Sequence, residues 1–584
     1  MPRRDRSPVR PAREESVTTQ EPPSGRTPVP ESDPAAEPVV SLPTGNLESS
    51  AMVRVLLGDD ATAGLQPLPD GSPLIACVPR GGRLSAQLQV RVPRAGELGA
   101  EIVGADGATA DGAAEPSWTV RVIQEIPRVE PGATSATPGD GVTVDPLLTA
   151  PHPVQGGRRV GLWLTIEVAA KVPAGRHHQQ LRVLLDGETL AAFAVTVTVP
   201  EVTLASPSER RFDLDLWWHP DAIADHLGVE PWGSEHWAAM RPYLTDLAEH
   251  GQRVVNAVVI EDPWLVDHTG SERPQTASGF ASLVEWRWDG TEFTFDFDRF
   301  DRMVLAHEEA GITGPIHLFA MIQFRLGERL TYLDTRSDEL VTERVELGDR
   351  RYRQGWRAFL AAAHRHLVER GWWERAALAF DERPKELMDR VYAVVHEEAP
   401  QWDGKNALAA VSLADADSAT YISFNHLFLA DVPAELIERR RSAGQPTLFY
   451  TYHEPARPNT ITAAPPISAR ALGWEVARYQ LDGYLRWSYN SWPFDVFTNP
   501  CFQYGQGDEY IVYPGPDGPV SSIRWESLRD GQDDAELLRM LREAGHQEVL
   551  QRCLDLVDPQ AADTPDAWRA MVTARAEAIA ALAG

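Results

Sequence analysis

After Pro207 short apolar runs alternate with longer amphipathic stretches, and this rhythm constrains the fold more tightly than any other feature of the chain. Eight apolar runs are present, at 212–217, 254–260, 315–321, 376–380, 407–411, 426–429, 447–450 and 483–487. Between most of them lie stretches such as 235–250, 300–310, 352–370, 385–398 and 433–442, spaced for helices with one buried face. Strand followed by helix, repeated, builds a parallel sheet. Eight such units close most economically as a (β/α)8 barrel of the TIM type. At 284–297 (VEWRWDGTEFTFDF) an Asp-Gly pair between alternating aromatic runs predicts a hairpin inserted at the barrel rim. The polar stretch 325–350 reads either as an active-site lid or as a surface loop.

Upstream the rhythm is different. Runs such as RLSAQLQVRV, SWTVRVIQEI, VGLWLTIEVAA and LAAFAVTVTV alternate with period two and are separated by Gly, Pro and Asp, and MVRVLLG at 52–58 continues the pattern. This predicts an N-terminal antiparallel β-sandwich over 46–206, with the barrel and C-terminal helices over 207–584. Residues 1–45 are rich in Pro, Ser and Arg and poor in large apolar side chains, the composition of a disordered tail. Within KVPAGRHHQQ (171–180), a Pro/Gly turn between strands, His177 and His178 read as exposed turn chemistry rather than metal ligands.

Charge and cysteine content remove whole classes of function. Eighty-five acidic against 55 basic side chains give a formal charge of -30, which repels nucleic acid and anionic membranes. Cys77, Cys501 and Cys553 are too few and too scattered for a disulfide framework or structural zinc. His364 and His366, two apart on an expected helix, face different ways, so no metal and no cofactor are expected. The basic start MPRRDRSPVRP is followed by no apolar stretch, and no run is long enough to span a membrane. A cytoplasmic location is the expectation, and oligomeric state is left open.

In a barrel of this type the reacting groups stand at the C-terminal ends of the strands. The first strand there offers Trp217, Trp218 and His219, and the second Glu261 and Asp262. The fourth offers Asp381 and Glu382, the seventh Tyr452, His453 and Glu454, and the eighth Trp487, Tyr489, Asn490 and Trp492. Aromatic platforms edged by carboxylates and amides suit a sugar ring, with its apolar C–H faces and rim of hydroxyls. Any one of these tryptophans could instead be core. Cleaving a glycosidic bond takes a protonated carboxyl at the leaving oxygen and a second group that stabilises positive charge at the anomeric carbon. In AALAFDERP, Asp381 and Glu382 follow an apolar strand directly, which separates them from Glu308–Glu309, Glu397–Glu398 and Asp508–Glu509.

The segments DGYLRWSYNSW (482–492) and GDEYIVYPGPDGPVSSIRWESLRDGQDDAELL (507–538) resemble the C-terminal signature of glycoside hydrolase family 123. TYHEPARPN (451–459) resembles the family's seventh-unit loop, and DPLLTAP and GLWLTIEVAAKVPAGRH extend the likeness into the sandwich. The resemblance implies a retaining exo-β-N-acetylgalactosaminidase or hexosaminidase. In such an enzyme the substrate's own 2-acetamido oxygen is the nucleophile, Asp381 orients that group, and Glu382 is general acid and then base. It implies an oligosaccharide or glycoconjugate substrate. The signature also has a structural reading, in which Gly and Asp serve backbone geometry and Arg524 and Arg529 are ion-pair partners. Two other functions stay open: a glycosidase with an enzymic nucleophile such as Glu261 or Glu454, and a carbohydrate-binding protein without catalysis.

Overall fold

The computed structural model describes residues 40–42, 66–67, 74–104, 114–129, 138–264, 274–323, 328–455, 457–561 and 565–584. Residues 1–39 of the expected tail and the run 52–58 lie outside the described residues, while Val40–Leu42 pairs with Gly82–Arg91.

Eight parallel strands carry the second half of the chain. They are β1 (Asp213–Leu216), β2 (Val255–Val258), β3 (Ile316–Phe319), β4 (Ala376–Asp381), β5 (Asn406–Ala410), β6 (Tyr421–Asn425), β7 (Thr447–Thr451) and β8 (Gly483–Arg486). Their order in the sheet is β1-β8-β7-β6-β5-β4-β3-β2, a TIM-like arrangement with β1 and β2 at its edges. Gln252 spans these edges: its backbone bridges Leu214, its Oε1 accepts from Leu216 N at 2.8 Å, and its Nε2 donates to Leu216 O at 3.2 Å.

Seven strands form where the apolar runs predict them, and the sixth does not. His426–Asp431 (HLFLAD) is a 3-10 helix, and the strand is Tyr421–Asn425, just upstream. The reason is local. Asn425 Oδ1 accepts from Leu427 N at 3.0 Å, capping a helical turn, whereas all five residues of YISFN are buried and their aromatic and β-branched side chains suit a strand.

Strand alternation sorts the side chains into two cores. Trp217, Phe319, Ala379, Ala409, Tyr450 and Leu485 face one another across the concave side of the sheet. Their neighbours Leu216, Leu318, Phe380, Leu408, Phe449 and Tyr484 pack outward against the helices. Each such Leu or Phe contributes roughly 1.5–3 kcal/mol by leaving water.

The hairpin expected at 284–297 is present as Glu285–Trp288 paired with Phe293–Asp296. The stretch 325–350 turns out to be mainly a second hairpin, Glu328–Asp334 with Glu339–Val345, and the two hairpins form a four-stranded sheet. Its anchor is Trp286, stacked on Phe359 at 4.9 Å.

Upstream, two largely antiparallel sheets share one apolar core, with Leu88 and Leu164 from one and Leu181 and Phe193 from the other. His177 and His178 lie in the strand Gly175–Leu185, not in the turn before it. Pointing to opposite faces, they meet Glu115 at 2.8 Å and Thr196 at 3.2 Å.

Helix Ile523–Glu543 joins these sheets to the eight-stranded parallel sheet. Arg83 and Asp145 from the sheets pair with its Glu526 and Arg524, the latter at 2.9 Å, and Arg529 faces Glu167 at 3.4 Å. Further along, Asp533 and Asp534 pair with Arg210 and Arg470, both at 2.6 Å. Gly531 lets this helix touch helix Pro466–Tyr479 backbone to backbone, since a Cβ on the facing Gly473 would sit 2.0 Å from Gly531 O. No helix among the described residues is long and apolar enough to cross a membrane.

Candidate active site

Asp381 is the last residue of β4, and its position in the alternation turns it to the concave side with Ala377 and Ala379. By the same alternation Glu382 would face the helices. It does not continue the strand: its φ is 37°, in the left-handed region, and its N–H donates to Ala409 O at 3.1 Å. The side chain swings inward, where Oε1 accepts from the Tyr450 hydroxyl at 2.6 Å. Tyr450 stands on the concave face of β7. Asp381 Oδ2 accepts from Trp264 Nε1 at 2.8 Å, and Arg383 donates to the Asp381 carbonyl. A left-handed glutamate costs on the order of 1 kcal/mol or more, and such strain gathers at functional sites. Asp262 (φ 42°) after β2 and Met321 (φ 68°) after β3 share it, so three consecutive strands end in strained backbone.

An arc of aromatic rings runs around the mouth between the two acids. Trp264 lies 4.9 Å from Phe280, Phe280 4.3 Å from His219, and His219 6.4 Å from Trp487. Trp487 lies 5.5 Å from Tyr504, which stacks on His453 at 6.3 Å. His453 is 4.6 Å from Tyr452, and Tyr452 5.7 Å from His426. The arc thus begins at the partner of Asp381 and ends beside the strand carrying Tyr450.

Burial pushes the His219 imidazole down to about 3, and His426 down to about 4, so both rings are neutral at physiological pH. Burial, with Glu454 and Glu382 adding, lifts the Tyr452 phenol to about 12. His219, His426 and the Trp, Phe and Tyr rings of the arc therefore offer neutral faces and hydrogen-bonding edges, the surface an uncharged sugar requires.

Among the residues expected to bind substrate, His219, Tyr452, His453 and Trp487 lie on the arc. Trp217 sits beneath it, 5.5 Å from Trp264 and 4.9 Å from Phe319. Asn490 acts through its neighbour, holding His219 by bonds to its N–H (2.8 Å) and carbonyl (3.0 Å). Trp218, Tyr489 and Trp492 are not brought to the mouth. Trp218 packs on His307 on the outer side of β1, as alternation after Trp217 demands. Tyr489 donates to Asp246 and packs on Trp525, while Trp492 donates to Val512 O at 2.8 Å.

The reading of strand ends missed Trp264, Phe280, Tyr450, Tyr504, His426 and Asn425. Trp264 stands two residues after Asp262, with Pro263 between, and could have been found by extending the second strand end by two residues. Tyr504 lies far along the loop after β8 and left no such signal.

Of the other acids named at strand ends, Glu261 faces a neighbouring cavity and Glu454 accepts from the Tyr452 hydroxyl at 3.3 Å. Glu261 Oε1 accepts from Ser282 N at 3.1 Å, and its carboxyl, raised by burial, faces a separate cavity of about 220 Å³ lined by Trp286, Arg299, Arg329 and Tyr332. Glu454 is exposed on the loop after β7. No group of three or more His, Cys, Asp or Glu side chains among the described residues is arranged to hold a metal ion.

A parallel TIM-like sheet with paired acids at a strand end, inside an aromatic arc, has the parts that carbohydrate cleavage uses, and its family match makes the chain a glycosidase. Residues 217–541 match the family model described as "Glycoside hydrolase 123, catalytic domain", more than half of the chain, and the chain belongs to glycoside hydrolase family 123. A solved family 123 glycoside hydrolase from Clostridium perfringens, described in terms of glycolipid glycan hydrolysis, is similar in fold. Its TM-score is 0.75 at 16% identity, over 92% of this chain and 98% of that one. A GH5 xyloglucanase from Bacteroides ovatus is more distant, with a TM-score of 0.29 at 10% identity over 79% of this chain and 98% of that one. A comparison with curated proteins gives no match.

Proposed function

We propose that this glycosidase is a retaining exo-β-N-acetylgalactosaminidase or related hexosaminidase, in which the substrate's 2-acetamido group is the nucleophile. Protonated Glu382 gives its proton to the glycosidic oxygen as the acetamido carbonyl oxygen bonds to C1 and the C1–O bond breaks. Asp381 accepts a hydrogen bond from the acetamido N–H and balances the positive charge of the cyclic oxazolinium. Glu382 carboxylate then takes a proton from water as that water bonds to C1 and the ring reopens, leaving the anomeric configuration retained. A β-N-acetylhexosamine at the end of a glycan or glycoconjugate is the substrate class.

The observation that supports this reading is the left-handed bend at Glu382, which turns two consecutive acids toward one side of the sheet. An enzymic nucleophile would instead face the acid across the sugar, about 5 Å away. Glu261 is turned to Ser282 and the neighbouring cavity, which does not favour that arrangement, and Glu454 stands exposed beside Tyr452, whose hydroxyl donates to it at 3.3 Å.

The test is release of aglycone from an aryl β-N-acetylgalactosaminide, with NMR of the first-formed sugar. Retained configuration, competitive inhibition by a thiazoline analogue and a fall of about 10²–10⁴-fold in kcat for Glu382→Gln are expected. Equal rates for Glu382→Gln and the parent across a panel of 2-acetamido sugars would overturn the assignment.

A further inference from the structure

Asn425 closes β6 and is 6% exposed, and its amide can adopt only one useful orientation. Oδ1 accepts from Leu427 N at 3.0 Å, so the group reaching the Tyr450 oxygen at 3.1 Å is Nδ2. An amide nitrogen donates and does not accept. The Tyr450 oxygen therefore receives that bond, and its own single proton is directed to Glu382 Oε1 at 2.6 Å. Burial, with the charge of Glu382 beside it, holds the Tyr450 phenol well above its ordinary range, so it remains a donor at any working pH. Three hydrogen bonds thus run in one direction, from Leu427 N–H through Asn425 and Tyr450 to the carboxylate.

We propose that Asn425 and Tyr450 are positioning residues for Glu382, a one-way relay that holds its carboxyl in the inward bend and meets the charge it acquires on giving up its proton. This rests on the acid–base reading of Glu382. As that proton passes to the glycosidic oxygen, negative charge grows on Oε1, and a donor already aimed there stabilises it without reorganisation. Asn425 acts only through Tyr450, by denying the phenol any other direction for its proton.

The experiment is a double-mutant cycle on kcat/KM with pH profiles. Tyr450→Phe removes the donor and is expected to lower kcat/KM about 10- to 100-fold, the range for a hydrogen bond to a charged group. It also moves the alkaline limb of the kcat/KM profile to higher pH, because losing a donor disfavours the ionised carboxylate. Asp381 acts on Tyr450, Glu382 and Glu454 on Tyr452, and Glu454 on His426, while Arg383 donates to the Asp381 carbonyl; all five neighbours are left intact, so parent and variant differ at the Tyr450–Glu382 bond. Asn425→Ser retains a side-chain oxygen able to cap Leu427 N but does not reach Tyr450. A loss of about 3- to 10-fold is expected on its own, and none when it is added to Tyr450→Phe. Additive losses, or an alkaline limb that stays in place in both single variants, would overturn the relay. Full activity in Glu382→Gln is a separate result, and it removes the acid–base reading instead.

Discussion

The mouth of the sheet and the interface along helix Ile523–Glu543 both gather carboxylates, half-buried at the mouth and buried at the interface, and most of them meet different partners. At the interface most acids meet guanidinium groups: Glu526 meets Arg83, Asp533 meets Arg210, Asp534 meets Arg470 and Arg575, and Asp145 meets Arg524, while Asp246 takes the Trp525 indole N–H at 2.9 Å and the Tyr489 hydroxyl. At the mouth an indole N–H addresses Asp381 and a phenol O–H addresses Glu382. The neutral Tyr450 hydroxyl orients the Glu382 carboxylate without neutralising it, and leaves it able to exchange a proton. Guanidinium partners fix the charge and with it the geometry. Acid dipeptides look alike in sequence, and it is their place at a strand end, together with the donors around them, that sets Asp381 and Glu382 apart.

Three measurements bear on that contrast. The largest effect is expected from Arg524→Met, which strands buried Asp145 without its partner and should cost about 3–5 kcal/mol in urea unfolding. Turnover per folded molecule should hold. A fall in kcat without loss of stability would mean that the interface serves catalysis and the two regions are not distinct. Next is Trp264→Phe, which keeps the ring in the arc but removes the N–H aimed at Asp381. A fall in kcat of about tenfold is expected, as for one hydrogen bond to a charged group, with a melting temperature near the parent's. A lowered melting temperature with kcat intact would make Trp264 a packing residue.

The smallest effect concerns pH, and it takes opposite signs in the two regions. Burial, with Glu261 and Asp225 adding, raises the Asp221 carboxyl near the mouth to about 7. A carboxyl raised on folding stabilises below its unfolded value, and that contribution is lost as pH climbs to about 7. Asp221→Asn should therefore raise the melting temperature at pH about 8 and leave it nearly unchanged at pH about 4. Glu526 is the converse: burial opposes its charge, but Arg83, Arg121, His250 and Arg529 overcome this and hold it well below the usual range. Its contribution is present above the ordinary glutamate value and is lost on acidification. Melting curves of Asp221→Asn that shift equally at both pH values would refute the assignment at the mouth.

Much of this molecule was legible beforehand. Seven strands of the sheet, the hairpin at Asp289–Gly290 and the pairing of Arg524 and Arg529 follow from periodicity, turn chemistry and residue type. The displaced sixth strand shows where periodicity fails. HLFLA is as apolar as its neighbours, and one capping bond from Leu427 to Asn425 bends it into a turn. Of the residues expected at the mouth, Trp218 fails for a reason the sequence did contain. It follows Trp217 by one position, and alternation assigns the two to opposite faces.

The same alternation marks the boundary of what sequence could determine about this protein. From residue order alone came a repeating β/α chain with Asp381 and Glu382 at the end of its fourth strand. Continued by one residue, that strand would have sent Glu382 to the helices. A φ of 37° brings it back, and no local pattern encodes that angle. It is held by Ala409 on β5 and Tyr450 on β7, which become neighbours of Glu382 only when the sheet has assembled. The dihedral is unfavourable for an isolated glutamate, so only contacts distant in sequence can sustain it.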